Sequence, residues 1–460
     1  MAFRLLRARP AAPQAAPAAA PVASEAASGA PVQEQPVQDA VAIADSAATG
    51  PAVAVPATVK PAIVPAAPQE AAKFEASGPA ELETGGVLTI DLAAIVKNWQ
   101  AMARRVVPAD CAAVIKADAY GCGIDRVAVA LEKAGCTTFF VAHLAEARQV
   151  RAVAPQAVIY VLNGFAPGTA AAFAEINARP VIGNLAEFIE WNAFRTATHW
   201  RGGAALHFDT GMTRLGFAME EAPIFTARVK MPDHGISLIM SHLACADTPG
   251  HALNARQIVA FRDLRFMFRG TPTSLANSSG IFLGPASHCD MVRPGAALYG
   301  LNPTPATQNL MEPVVSLKAR VVQVHDVPRG ATVGYGATWT ATRASRIAIV
   351  SVGYGDGYPR AAGGVQGAAK GSGKPRAQAG AKSGAIALIA NRRCPMVGRI
   401  SMDLMACDVT GLPDDAARRG THATLIGDGI TVDDVARWSG TIGYEVLTGL
   451  GRRYRRVWRR

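Results

Sequence analysis

The sequence predicts an α/β chain: a (β/α)8 TIM-type barrel followed by a C-terminal, mostly β domain. Three observations lead there. Between Ala112 and Leu301 eight short apolar runs alternate with segments of helical periodicity. Beyond Asn309 the apolar runs are separated by turns instead of helices. The first 83 residues follow neither pattern, being dominated by Ala, Pro, Val and Gln. A doubly wound open sheet shares the strand–helix alternation and is the alternative for the first domain.

In chain order, residues 1–83 carry almost no aromatic side chains and cannot bury enough apolar surface to offset their ordering entropy, so a disordered or polyproline-like extension is expected. Folded sequence is expected from near Gly86. Asp91 stands where an N-cap belongs, and Leu92, Ile95, Val96, Trp99 and Met102 then fall on one helical face. The barrel is assigned to residues 84–310. Its strands are expected at Ala113–Lys116, Thr138–Val141, Val158–Leu162, Pro180–Ile182, Ala204–Phe208, Ser237–Met240, Pro272–Leu275 and Met291–Arg293. Helices at Arg126–Lys133, Leu144–Arg151, Leu185–Phe194 and Leu253–Phe268 lie between them. Residues 311–460 form the β domain, with strands at Val314–Val324, Ile347–Val352, Ile386–Ile389 and Leu404–Val409. Within it, residues 361–384 are Gly/Ala/Lys-rich and read as a flexible insertion, and Thr431 with Asp434 reads as a capping box.

Composition narrows the function classes. The chain has 460 residues, half of them hydrophobic, enough for a large core. Its net charge of +11 is uneven and concentrates in the tail from Arg452 to Arg460 and between Arg360 and Arg393. With Tyr454 and Trp458 among the arginines, the tail has some nucleic-acid character, but a solvated helix end or a subunit contact is the expectation, and no nucleic-acid partner. Seven scattered cysteines without a CxxC pair indicate reduced thiols in a cytoplasmic protein and no metal site. No run of 18 apolar residues occurs, so no membrane span is expected. Prolines interrupt the N-terminal apolar run, which argues against a secretory signal.

The chemistry-bearing residues fall at strand ends. Lys116 follows Ala113-Val114-Ile115, and burial there would lower its pKa and leave a nucleophilic amine able to form a Schiff base. Alone, such a lysine reads as a side chain snorkelling to water. On a barrel, however, the DTGMTRLGF segment (Asp209–Phe217) follows the fifth strand, His242 the sixth, Asn277 and Ser278 the seventh, and Arg293 and Gly295 the eighth. Barrel active sites lie on this carboxyl face, and the loops after strands seven and eight commonly hold a phosphate. Ser278, Gly295 and Ala296 are small enough to let backbone N–H groups approach an anion. An imine-forming lysine with a phosphate site points to pyridoxal phosphate (PLP).

At this level of detail the chain resembles the PLP-dependent alanine racemases from about Gly86 to its C-terminus. IKADAYG is similar to that family's PLP-lysine segment, and DTGMTRLGF, SHLA, ANSSG, VRPGAALYG, VGYGAT, VGYGDGY, GRISMD and IGYEVLT follow in family order. The resemblance implies that Lys116 binds PLP as an imine and then serves as one base, for the D enantiomer. It implies that Tyr335 is the other base and reaches the opposite face of the substrate Cα from the second subunit of a homodimer. Arg293 faces the pyridine nitrogen with His242 supporting it. Tyr120, Ser278, Gly295, Ala296 and Tyr444 hold the phosphate, and Asn277 belongs to the same cofactor site. Arg214 and the backbone of Met402 hold the substrate carboxylate, and Tyr354 and Asp403 line the entrance. The implied reaction interconverts L- and D-alanine, supplying D-alanine for peptidoglycan. Removing a proton from one face of Cα and returning one to the other requires two bases on opposite sides. Arginine at the ring nitrogen keeps that nitrogen unprotonated, because it does not readily give up a proton.

Two positions depart from the family pattern. His207 stands two residues before Asp209, where many members carry a carbamylated lysine, so Arg214 has lost an anionic neighbour. Cys122 replaces a usual histidine in the lysine loop. Asp209 itself also reads as a turn cap through its side chain. A broad-specificity amino-acid racemase of the same fold, a non-catalytic PLP-binding protein and a PLP decarboxylase are the competing readings. The β domain carrying Tyr335 argues against the second, and the lack of a cysteine and acidic groups aimed at a longer substrate argues against the third.

Overall fold

The computed structural model describes residues 75–364 and 384–460. Most of the Ala/Pro-rich extension and of the Gly/Lys-rich insertion lies outside the described residues.

The first domain is a ring of parallel strands with helices outside. Its first strand comes in two pieces, Asp110–Cys111 and Ala113–Val114. The first piece pairs with Met291–Arg293 and the second with Thr138–Val141, so the sheet meets itself at Ala112 and the ring closes. The remaining strands, Val158–Val161, Ala178–Ile182, Ala204–His207, Ile236–Met240 and Thr273–Asn277, take their places in chain order. This closure rules out the open doubly wound alternative. The strands read as short apolar runs because both faces are covered, one by the barrel interior and the other by helices. Phe139, Phe140, Ile159, Leu206, Ile239 and Leu275 are all fully buried.

The helix Leu92–Val106 follows the sequence reading closely. Asp91 Oδ1 accepts the Ala94 N–H at 2.8 Å, and Leu92, Ile95, Trp99 and Met102 are buried along one face. Two short helices, Ala170–Glu175 and Ala222–Arg228, complete the alternation. At six and seven residues they span fewer than two turns, too few for a periodic signal.

The second domain is a mostly antiparallel sheet curled on itself. Its long strand, Val315–Val327, pairs with Gly86–Asp91, Ser345–Val350 and His422–Ile426. From there the sheet runs through Met405–Asp408, Arg392–Val397 and Ile386–Ile389 back to His422–Ile426. Thr431 and Asp434 cap the late helix Val432–Ser439 reciprocally, as their spacing predicts.

Three expectations are corrected. The basic tail is not a solvated helix end: Arg455–Arg459 is a strand between Gly86–Asp91 and Glu75–Ser77, and Tyr454 and Trp458 are buried. Alternation puts Arg455, Val457 and Arg459 on one face and Arg456 with Trp458 on the other, where Arg456 bonds to backbone carbonyls, so high charge disguised a half-buried strand. Strand structure is already present before Gly86, where Glu75–Ser77 gains backbone partners from that tail. Gly86–Asp91 belongs to the second sheet and not to the barrel, although the barrel's first helix follows it directly.

Candidate active site

The site starts from a strained turn. Ala112, Ala113 and Ile115 are fully buried, and Lys116 opens the segment Lys116–Gly121. There Ala117, Asp118, Ala119 and Tyr120 all have φ between 52° and 55°, in the left-handed region. For residues bearing a Cβ this costs roughly 1–2 kcal/mol each. The surroundings hold it. Asp118 Oδ1 accepts the Ile124 N–H at 2.9 Å, and Glu146 Oε1 accepts the Ala117 N–H at 2.6 Å. From the tail strand, Arg456 donates to the Gly121 carbonyl at 2.5 Å and Trp458 Nε1 to the Cys122 carbonyl at 2.7 Å. Cys122 is a core residue whose thiol burial pushes up to about 12, so it is inert at neutral pH.

This turn delivers Lys116 and Tyr120 to one cavity of about 650 Å³ at the carboxyl ends of the barrel strands. Arg214, His242, Asn277, Ser278, Arg293, Gly295, Ala296 and Tyr444 line the same cavity. Three cations face it, Lys116, Arg214 and Arg293, against one carboxylate, Glu445, among the described lining residues. Burial lowers the Lys116 pKa, the positive charge of Arg214 lowers it further, and Glu146 opposes both.

Arg293 is 3 % exposed and has no carboxylate partner among the described residues. Its Nη1 donates to Ser274 Oγ at 2.5 Å, and Nη2 to the carbonyls of Ser241 at 2.7 Å and Leu275 at 3.3 Å. Burial lowers its pKa to about 10, which still leaves it charged at neutral pH. His242 Nδ1 lies 3.3 Å from Nη2, and since arginine only donates, that nitrogen is the acceptor. Burial and the charge of Arg293 hold His242 neutral. Asn277 Nδ2 lies 3.4 Å from the other ring nitrogen, with its carbonyl taken by the Gly280 N–H at 2.9 Å.

Across the cavity, the Ser278 hydroxyl accepts the N–H groups of Gly295 at 2.9 Å and Ala297 at 3.2 Å. A Cβ built on Gly295 would fall 2.5 Å from Tyr120 Oη, so only glycine leaves that hydroxyl its place. The Tyr120 ring stacks on Tyr299 at 4.5 Å and tilts toward Tyr444 at 6.1 Å. Hydroxyls, a close-packed glycine and the start of a short helical turn form a cradle with no carboxylate of its own, suited to a phosphate.

Asp209 behaves as a turn cap. Its carboxylate accepts the N–H groups of Gly211, Met212 and Thr213 at 2.8–3.1 Å. Partial burial raises its pKa, but the three amides outweigh that and leave it below the ordinary value. The loop it ties carries Arg214. His207, 7 % exposed, also lines the cavity, and burial together with Arg293 and Arg214 lowers its pKa to about 4. The departure noted in the sequence therefore puts an uncharged imidazole beside two arginines.

Four candidates lie elsewhere. Tyr335, 71 % exposed, sits on the short turn Tyr335–Ala337 of the β domain. Tyr354, Met402 and Asp403 are grouped on that domain's surface: the Gly355 N–H donates to the Met402 carbonyl at 2.8 Å, and Asp403 pairs with Arg453 at 2.9 Å. None of the four lines the cavity of its own chain. Residues that sequence reasoning missed also line it, among them Asn163, Met240, Glu445 and Thr448. Asn163 and Met240 stand at strand ends, and Glu445 and Thr448 follow Tyr444 by one and four residues on the helix Gly443–Gly449. Those positions were the available signal.

An amine, an anion cradle and an arginine without an acidic partner converge here, and they fit PLP. Fold and site together define a PLP-type barrel enzyme with a β domain. The comparisons agree. Residues 90–303 match the alanine racemase N-terminal domain family and residues 314–458 the C-terminal domain family. An alanine racemase of Methylobacterium sp. (strain 4-46) is 52 % identical, covering 81 % of this chain and 98 % of that protein. One from Rhizobium meliloti is 44 % identical, covering 83 % and 98 %. The crystal structure of alanine racemase from Bartonella henselae with covalently bound pyridoxal phosphate superposes with a TM-score of 0.74 at 34 % identity, covering 83 % of this chain and all of that one. The biosynthetic enzyme from Pseudomonas aeruginosa gives 0.72 at 35 % identity, covering 82 % and all of it. The chain belongs to the alanine racemase family, which are PLP-dependent isomerases.

Proposed function

We propose that this chain interconverts L- and D-alanine with two bases, Lys116 and Tyr335, at a site completed by a second copy of the chain. The observation that carries the reading is the single cavity joining Lys116, Tyr120, Ser278, Gly295 and Arg293.

Each residue then has a task. Lys116 holds PLP through its amine. Tyr120, Ser278, Tyr444 and the backbone at Gly295 and Ala296 hold the phosphate, while Arg293, fixed by Ser274 and His242, faces the ring nitrogen. Asn277 packs beside His242. PLP, when bound, withdraws electrons from the substrate Cα and acidifies its hydrogen. Arg214 binds the substrate carboxylate from the loop that Asp209 ties. Once released from the cofactor, the Lys116 amine takes or returns a proton on one face of Cα; its lowered pKa favours the free base.

The other face needs a second base, which this reading assigns to Tyr335. Tyr335 is exposed and contributes nothing to the lining of its own chain's cavity. Dimerisation brings Tyr335 of the partner subunit to this site, with the partner's Met402 helping to hold the carboxylate and the partner's Tyr354 and Asp403 at the entrance. The exposed apolar side chains Leu215, Ile442 and Tyr444 near the cavity, and Tyr335, Tyr354 and Met402 on the β domain, supply matching surfaces. No helix among the described residues is long and apolar enough to cross a membrane, and the free cysteines suit the cytoplasm, where D-alanine would be made for peptidoglycan.

Subunit mixing tests the reading. Lys116→Ala and Tyr335→Phe proteins are each expected to be inactive. An equal mixture with verified exchange should recover up to about a quarter of wild-type activity, because each hybrid dimer has one intact site. No recovery despite hybrid formation would refute the shared site. Wild-type protein that binds no PLP would refute the whole reading.

A further inference from the structure

We infer that Glu146 is a positioning residue for this chemistry: its carboxylate ties the chain just after Lys116 to the neighbouring helix and so sets where the Lys116 amine stands. This rests on the reading of Lys116 as the PLP lysine.

The geometry is specific. Glu146 lies in the first turn of the helix Leu144–Val153, which follows the second barrel strand. Its Oε2 accepts the N–H groups of Ala142 at 2.7 Å and His143 at 3.1 Å, as the acidic member of a capping box does. Its Oε1 does something a cap does not require. It crosses to the neighbouring strand's loop and accepts the N–H of Ala117, the residue after Lys116, at 2.6 Å. That amide opens the left-handed segment Ala117–Tyr120. One carboxylate thus ties the strained turn to the next helix at the point where the chain leaves Lys116.

The same carboxylate is the anion that acts on Lys116. The other charged or titratable groups sharing its cavity are His207 and Arg214 from the fifth strand and its loop, His242 after the sixth, Arg293 on the eighth, Tyr120 on its own turn, and Tyr444 and Glu445 on the helix Gly443–Gly449; of these Arg214 is the one that acts on Lys116. Arg214 disfavours the protonated amine and His242 is neutral, so Glu146 opposes the combined effect of burial and arginine. A residue that served only to cap its helix would have neither the bond to Ala117 nor this influence.

The test is the capture of PLP by apoprotein as a function of pH. In that step the unprotonated Lys116 amine adds to the aldehyde carbon and water leaves, forming a C=N bond that borohydride fixes for mass spectrometry. Capture rises with pH through the Lys116 pKa, and the same PLP is offered to every protein, so a change of midpoint belongs to the protein. Glu146→Gln removes the charge and should lower the midpoint by about 0.5–1 pH unit while slowing capture above it. Glu146→Asp keeps the charge but is one carbon short of Ala117, so it should slow capture with a midpoint shift less than half as large. Circular dichroism confirms folding, and if the Gln protein does not fold, the Asp protein alone decides through slowed capture at a nearly unmoved midpoint. Folded Glu146→Gln and Glu146→Asp proteins that both capture PLP at the wild-type rate and midpoint overturn the inference. Failure of the underlying reading looks different: wild type would not capture PLP, or Lys116→Ala would still do so.

Discussion

Replacing His207 with glutamine should make the apoprotein markedly less acid-sensitive. His207 is nearly enclosed, and burial with two neighbouring arginines lowers its pKa from 6.5 to about 4. The unfolded chain therefore binds a proton at this residue between those pH values while the folded chain does not. The sign follows: folding stability is unaffected above pH 6.5 and falls as the pH drops from 6.5 toward 4, where the loss levels off. With those two values the loss attributable to His207 is about 2 kcal/mol at pH 5 and about 3 kcal/mol at pH 4. Urea unfolding of wild-type and His207→Gln apoproteins at pH 7 and pH 5 measures it. The wild type should lose about 2 kcal/mol more than the variant between the two pH values. Equal losses would refute the claim that His207 is held neutral. His242 titrates the same way and is present in both proteins, so it cancels in the comparison.

Two further outcomes are expected. Gly295→Ala places a Cβ 2.5 Å from Tyr120 Oη and 3.2 Å from Val114 Cβ, while stacking on Tyr299 restricts the ring's retreat. Displacing one phosphate donor should weaken PLP binding roughly 10–100-fold by fluorescence titration, with the fold retained, and binding within twofold of wild type would contradict the cradle. Trp458→Ala removes a buried indole and its bond to the Cys122 carbonyl; it should cost about 3–5 kcal/mol in denaturant unfolding and loosen the Lys116 turn, seen as faster protease cleavage there.

Much of this molecule was legible because its signals are local. An apolar run ending in Lys116, small residues after the seventh and eighth strands, and Asp91 or Thr431 ahead of a helix each act within a few residues. The tail strand was misread because its environment is set by partners more than 300 residues away: Arg455 pairs with Val87, and Trp458 packs against Gly123 and Arg126. Glu146 was invisible for a related reason. As a sequence feature it is an ordinary first-turn acid, and its bond to Ala117 exists only because adjacent barrel strands bring their loops together.

The sequence by itself determined the alternation of strands and helices, the second β domain and nine barrel residues that meet in one cavity, since strand-end positions on a parallel barrel converge whatever lies between them; Tyr444 joins them from the helix Gly443–Gly449. Tertiary structure alone decided the left-handed turn that presents Lys116, the neutrality of His207 and the exposure of Tyr335 away from its own site. Backbone strain, desolvation and exposure are properties of the packed surroundings. They arise from groups distant in the chain, so no local reading of residues contains them.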